Sequence, residues 1–171
     1  RMQTVCFSPM AKLNAWASGL QPWSFPEVEE AVRKVLQLRM RLLPYIYSAF
    51  ADYYFNGTPP MRAMILESEA NAIYGIVVEG KLDSETNPYA INQVIDTTDQ
   101  FMFGPSIMVA PFYDDKATER QVHLPPGNWY DFYSGQLVGS HTTLLVKAEE
   151  LNDQIPLFVK DGALIPMLSK D

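Results

Sequence analysis

Residues 26–56, PEVEEAVRKVLQLRMRLLPYIYSAFADYYFN, are the longest stretch of the chain with helical periodicity. Val28, Val32, Val35, Leu36, Leu43, Ile46, Tyr47 and Phe50 recur at three- and four-residue spacing, which places them on one apolar stripe. Ser24 and Glu27 have capping-box spacing, and Pro26 suits a first helical turn, where a missing N–H costs nothing. Gly57 is the expected stop, and Pro44 predicts a break near Leu43. Arg33, Lys34, Arg39 and Arg41 form a basic outer edge. Such a helix must bury its stripe, and the rest of the chain supplies only part of a partner.

The segments around the helix divide into two kinds. Residues 1–20 have little periodicity and read as a short helix or turn, then a loop in which Asn14 and Trp16 could line a polar pocket or pack beneath the helix. Trp23 is expected against the helix start. Residues 61–67 (MRAMILE) follow two prolines and are apolar and of strand length, as expected of a parallel strand buried on both faces. Arg62 within that run needs a carboxylate partner. Residues 68–95 are irregular and read as an insertion, with a strand expected in YGIVVE, and residues 96–103 read as a short helix capped by Asp96.

Beyond Gly104 the pattern changes. SIMVAPFY, RQVHLP, NWYDFYSG, TTLLVKA and PLFVKDGALIP are short β-rich runs separated by Pro, Gly and Asp. Asp161-Gly162 has hairpin character. The expected architecture is α/β followed by an antiparallel β-sandwich, with a boundary near Gly104.

Charge and residue counts narrow the chemistry. A net charge of −7 argues against nucleic acid as the main partner. No apolar run approaches the ~20 residues of a membrane helix. The single cysteine, Cys6, allows no internal disulfide and is expected to be buried. His123 and His141 stand apart, so no metal cluster is expected, and no phosphate loop or Gly-x-Ser-x-Gly elbow points to a cofactor or a serine nucleophile. Glu29, Glu30, Asp114 and Asp115 read as solvated surface. The residues by themselves assemble no catalytic set. The chain begins at Arg1, so a processed leader or a longer parent is expected; the compartment stays open.

A resemblance supplies what composition does not. Phe7-Ser8-Pro9, Gln21-Pro22-Trp23, residues 38–48 (LRMRLLPYIYS), residues 57–62 (GTPPMR), residues 99–104 (DQFMFG) with Val109-Ala110-Pro111, residues 124–132 (LPPGNWYDF), and residues 155–159 with 162–166 occur in the order of a known pattern. Together they resemble the C-terminal part of glycoside hydrolase family 31, the α-glucosidases, α-xylosidases and relatives. The resemblance implies the end of a (β/α)8 barrel over residues 1–104 (long helix, last strand, short helix, with an insertion near 68–95). It implies a proximal β-sandwich over residues 105–171. The implied chemistry is retaining hydrolysis of an α-glycoside by two aspartates, which in the family lie on barrel strands upstream of the matching region. No catalytic residue is therefore carried over, and the chain alone is expected to be inactive.

After Phe-Ser-Pro the family usually has Arg, one residue, then a His that contacts the sugar in the −1 subsite. Here those positions read Lys12-Leu13-Asn14. Asn14 can hydrogen-bond a hydroxyl but carries no charge, and Lys12 makes no bidentate fork. The implied substrate contacts are Asn14, Lys12 and Trp16. The departure points to another sugar or an acetamido sugar, or to loss of activity. The implied partners are an α-linked sugar and the upstream barrel, with no nucleic acid, membrane, metal or cofactor. Self-association through an exposed apolar patch is expected. The alternative is a noncatalytic sugar-binding or structural sandwich, with Trp129, Tyr130, Phe132 and Tyr133 as the aromatic platform or as core.

Overall fold

The computed structural model describes residues 2–12, 19–67, 97–114 and 116–169, with nothing said of the Ile65 side chain. The chain-order elements are α1 (Met2–Cys6), α2 (Pro26–Arg41), α3 (Leu43–Asn56), β1 (Met61–Ala63), β2 (Phe101–Phe103), β3 (Ile107–Val109), β4 (Glu119–Leu124), β5 (Trp129–Asp131), β6 (Leu137–Gly139), β7 (Thr142–Lys147) and β8 (Leu157–Lys160). Six strands form one sheet in the order β1-β2-β3-β8-β5-β6, and β4 pairs with β7 in a second. Every pairing is antiparallel.

The middle of the six-stranded sheet (β2, β3 and the start of β8) is covered on both faces. Phe101, Phe103, Ile107, Val109 and Leu157 share one core with Cys6, Phe7, Val35, Leu42, Tyr45 and Ile46 of the helical segment. The alternate residues Met102, Met108 and Phe158 join Trp129, Val122 and Leu124 in a second core beneath the small sheet. Successive side chains of a strand point to opposite faces. All three residues of β2 and of β3 are therefore buried, one set against helices and the other inside a sandwich.

The proline and glycine signals act where the sequence places them. Pro26 opens α2, the helix ends at Arg41, and α3 begins at Leu43 with Pro44 in its first turn. Gly57 closes α3 in the left-handed conformation, φ 75°, its N–H donating to the Tyr53 carbonyl at 2.9 Å. Ser24, however, does not cap α2. Its hydroxyl accepts from the Gln21 N–H at 3.0 Å and closes the preceding 3-10 turn, Pro22–Ser24. Trp23 in that turn is mostly exposed rather than packed on the helix.

The helical stripe resolves into two faces. Val35 and Ile46 are buried as expected, together with Leu42, Tyr45 and Ala49. Val28, Leu43, Tyr47 and Phe50 are exposed, with Tyr47 at 79% and Tyr54 at 81%. Periodicity identifies residues that share a face; it does not say which face meets the sheet.

Three strand assignments also change. Residues 101–103 are strand β2, not a helix, because Met61–Ala63 and Ile107–Val109 flank them as ladder partners. Residues 61–63 form an antiparallel edge strand with half-buried and exposed positions, rather than a parallel barrel strand. The sheet therefore starts upstream of Gly104 and runs across the expected boundary. Asp161-Gly162 does turn, with Gly162 at φ 71°, but among the described residues no strand follows it and Leu164 is 90% exposed. The strand expected in residues 74–79 and the insertion near 68–95 lie outside the described residues.

Candidate functional site

The loop expected to face substrate leaves the C-terminal end of α1. Phe7 anchors it: the ring is fully buried, edge-on to Phe103 with centroids 5.4 Å apart. The Cys6 thiol donates to the Val35 carbonyl at 3.1 Å, and burial pushes its pKa from 9.0 up to about 12. A thiol so held is not a nucleophile at neutral pH, in keeping with the expected buried role. Ser8 closes the turn by donating its hydroxyl to the Met10 carbonyl at 3.0 Å. Lys12 follows, exposed to solvent. Asn14 and Trp16 lie outside the described residues.

The basic edge of α2 is not one surface. Arg33 pairs with Glu29 at 2.5 Å, and Lys34 reaches Asp153 at 3.9 Å. Arg41 donates from Nε to the Leu168 carbonyl at 3.3 Å. Arg39 turns toward the α1 loop, and Nη1 donates to the carbonyls of Cys6 at 2.5 Å and Ser8 at 2.7 Å. Sequence reasoning missed this role. The available signal was spacing: Arg39 falls four residues after buried Val35 and three before buried Leu42, on the inward face.

Two polar devices join this segment to the sandwich. The Tyr45 hydroxyl donates to the Phe103 carbonyl at 2.8 Å and accepts from the N–H groups of Ser106 at 2.9 Å and Ile107 at 3.2 Å. Burial raises its pKa from 10.0 to about 12, outweighing those two bonds, which would lower it. Gly104 lies beneath the ring at φ 62°, where a Cβ would come 2.5 Å from the hydroxyl oxygen. The second device is Gln100, 1% exposed, whose amide donates to the His123 carbonyl at 2.7 Å and accepts its N–H at 2.9 Å. A side-chain amide thus takes the place of a ladder partner on β4.

The buried charges are structural. Arg62 finds its carboxylate five residues on, Nη2 lying 2.5 Å from Glu67, whose other oxygen accepts from Lys160 Nζ at 2.9 Å. This triad ties β1 to β8 across the sheet. Arg120 pairs with Asp99 at 2.8 Å. Among the described residues, no group of three or more His, Cys, Asp or Glu could hold a metal ion. No helix among them is long and apolar enough to cross a membrane. Open grooves of about 1110 and 520 Å³ run along α2 and beside β5 and β8, and Lys12 lines neither. Trp129 is fully buried, its indole N–H donating to the Pro125 carbonyl at 3.0 Å, so it is core rather than a sugar platform.

Both parts of the chain match family models. Residues 1–49 match the glycosyl hydrolases family 31 TIM-barrel domain, and residues 57–165 match the glycosyl hydrolase family 31 C-terminal domain. The chain belongs to glycosyl hydrolase family 31. It is 32% identical over 167 residues to an alpha-xylosidase of Saccharolobus solfataricus, covering 96% of this chain and 20% of that protein. It is 28% identical over 170 residues to alpha-glucosidase 2 of Bacillus thermoamyloliquefaciens, covering 97% of this chain and 19% of that one. Among solved structures, a family 31 dextranase of Flavobacterium johnsoniae in complex with isomaltotriose superposes with a TM-score of 0.74 at 26% identity, covering 98% of this chain and 18% of the dextranase. The chain thus spans about a fifth of the length of these relatives, at the junction of barrel and C-terminal β domain.

Proposed function

We propose that residues 1–171 form the closing segment of a retaining α-glycosidase. The helical part completes the catalytic barrel, and the two strand layers form the sandwich on which the barrel rests. In this reading two aspartates on other barrel strands, outside these residues, act as nucleophile and acid/base. Residues 1–104 supply the barrel end and residues 105–171 most of the sandwich, with β1 and β2 of the barrel-side part reaching into the sandwich sheet. Lys12, Asn14 and Trp16 contact the sugar. Lys12 and Asn14, in place of the family's Arg and His, select a glycone other than plain glucose.

The observation that carries this reading is the double cover of the sheet, together with the open outer face of α2 and α3. Val28, Leu43, Tyr47, Phe50 and Tyr54 are the surface a helix presents when its remaining neighbours belong to other parts of a barrel. The alternative of a free-standing sugar-binding module is disfavoured by Trp129, which is wholly inside the sandwich.

The test compares residues 1–171 with the longest natural polypeptide containing them, on p-nitrophenyl α-glucoside, α-xyloside and N-acetyl-α-glucosaminide. The released sugar is followed by NMR. The longer polypeptide should release the α-anomer first, and residues 1–171 should release nothing. Turnover by residues 1–171 alone would overturn the placement of the carboxylates. Inversion at the anomeric carbon would overturn the mechanism.

A further inference from the structure

The geometry points to Arg39 as a positioning residue that sets the direction in which the chain leaves Pro9 toward Lys12. This rests on the reading of Lys12 as a substrate-side residue. The last carbonyls of a helix have no partner within it, and α1 ends at Cys6. The Arg39 guanidinium takes up that carbonyl and two more beyond it: Nη1 donates to Cys6 at 2.5 Å and Ser8 at 2.7 Å, and Nη2 to Pro9 at 3.2 Å. One planar fork thus spans a turn of four residues from a helix some thirty residues later in the chain. The turn is held at two further points. The Cys6 thiol bonds to Val35 on the same helix as Arg39, and the Phe7 ring is locked against Phe103.

Three anchors on consecutive residues leave the segment little freedom, and Lys12 follows three residues after the last carbonyl held. A displacement of about 1 Å in a substrate-contacting group costs up to ~100-fold in rate. A lysine in place of Arg39 keeps the charge but is a point donor without the fixed fork, so it holds the three carbonyls less rigidly.

The test uses the longest natural polypeptide containing residues 1–171, with Arg39→Met, Arg39→Lys and, separately, Lys12→Met. Hydrogen–deuterium exchange is read over residues 7–12 and over β3 and β8, and turnover on the p-nitrophenyl α-glycoside that the wild type accepts. Arg39→Met should raise exchange over residues 7–12 while β3 and β8 keep wild-type protection. It should lower kcat/KM about tenfold or more, mainly through kcat, with Arg39→Lys between Met and wild type. Unchanged exchange over 7–12 overturns the inference, as does a rise that spreads equally into β3 and β8, which would mean general loosening. If Lys12→Met leaves kcat/KM at the wild-type value, the underlying reading of the loop fails. If Lys12→Met lowers it and Arg39→Met does not, positioning by Arg39 alone fails.

Discussion

The two faces of the six-stranded sheet are built from the same strands and filled differently. On the helix face, Phe101, Phe103, Ile107, Val109 and Leu157 meet Phe7, Leu42 and Tyr45, and the contact is punctuated by hydrogen bonds between the Tyr45 hydroxyl and the backbone of the β2–β3 turn, one donated to Phe103 and one accepted from Ser106. On the sandwich face, three methionines, Met64, Met102 and Met108, pack round Trp129, Phe158, Val122 and Leu124. Rigid rings and directional bonds define one relative placement of helix and sheet. Flexible thioethers fill the gaps between strand layers whose spacing the backbone already sets. The helix face is therefore placed chiefly by the Tyr45 bonds, while the sandwich face, apart from the bonds of Trp129 and Gln100, is specified more by volume.

Substitutions should separate the two. The largest effect belongs to Trp129→Ala, which empties the centre of the sandwich core and removes the indole bond to Pro125; a loss of about 3–5 kcal/mol is expected in urea unfolding. Gly104→Ala comes next, at about 2–3 kcal/mol. It combines a strained positive φ with a Cβ placed against the Tyr45 ring, and Tyr45 cannot move without releasing its three bonds. In Tyr45→Phe, Gly104→Ala should cost nearly as much, because the Tyr45 ring carbons lie as close as the hydroxyl, at 2.6 and 2.7 Å. Met108→Leu, on the sandwich face, should cost less than about 1.5 kcal/mol. A Met108→Leu cost equal to that of Gly104→Ala would erase the proposed difference between the faces.

The helix face should also fail first in base. Burial raises Cys6 from 9.0 and Tyr45 from 10.0, each to about 12. A raised native pKa favours the protonated form in the folded chain. The stabilisation is whole below pH 9 and is lost as pH climbs from 9 toward 12. Thermal melts across that window should show Tm falling, with a smaller fall in Cys6→Ala, which has no thiol to ionise. Equal falls in the two proteins would remove the thiol from the account.

Punctuation was more legible in the sequence than partnership. Pro26, Pro44 and Gly57 act through local backbone geometry, so their effects on α2 and α3 could be read directly. Residues 119–124 and 142–147 were legible as strands because their β-rich runs are long enough to show. Residues 101–103 were not, since FMF, buried on both faces, has no alternation and Asp96 and Asp99 imitate a helix start. Tyr47 and Phe50 were expected inside because periodicity is blind to which face has a neighbour. The expectation of a substrate-side role for Lys12 rests on resemblance alone, and no local pattern shows that Arg39, more than two dozen residues away, holds the turn before it. A loop's chemistry depends on partners distant in sequence, and local pattern does not report them.

The central claim is that the chain presents two covered sheet faces and one open helix face that seats the rest of a barrel. Sedimentation velocity of residues 1–171 tests it most directly, run over a concentration series beside Tyr47→Ser/Phe50→Ser/Tyr54→Ser. The wild-type segment should self-associate with rising concentration, and the triple variant should sediment as a folded monomer with a Tm only slightly lowered, because Tyr47 and Tyr54 are about four-fifths exposed and none of the three is a buried core residue. A wild-type segment that stays monomeric across the series would contradict the account, since the open face would then need no partner.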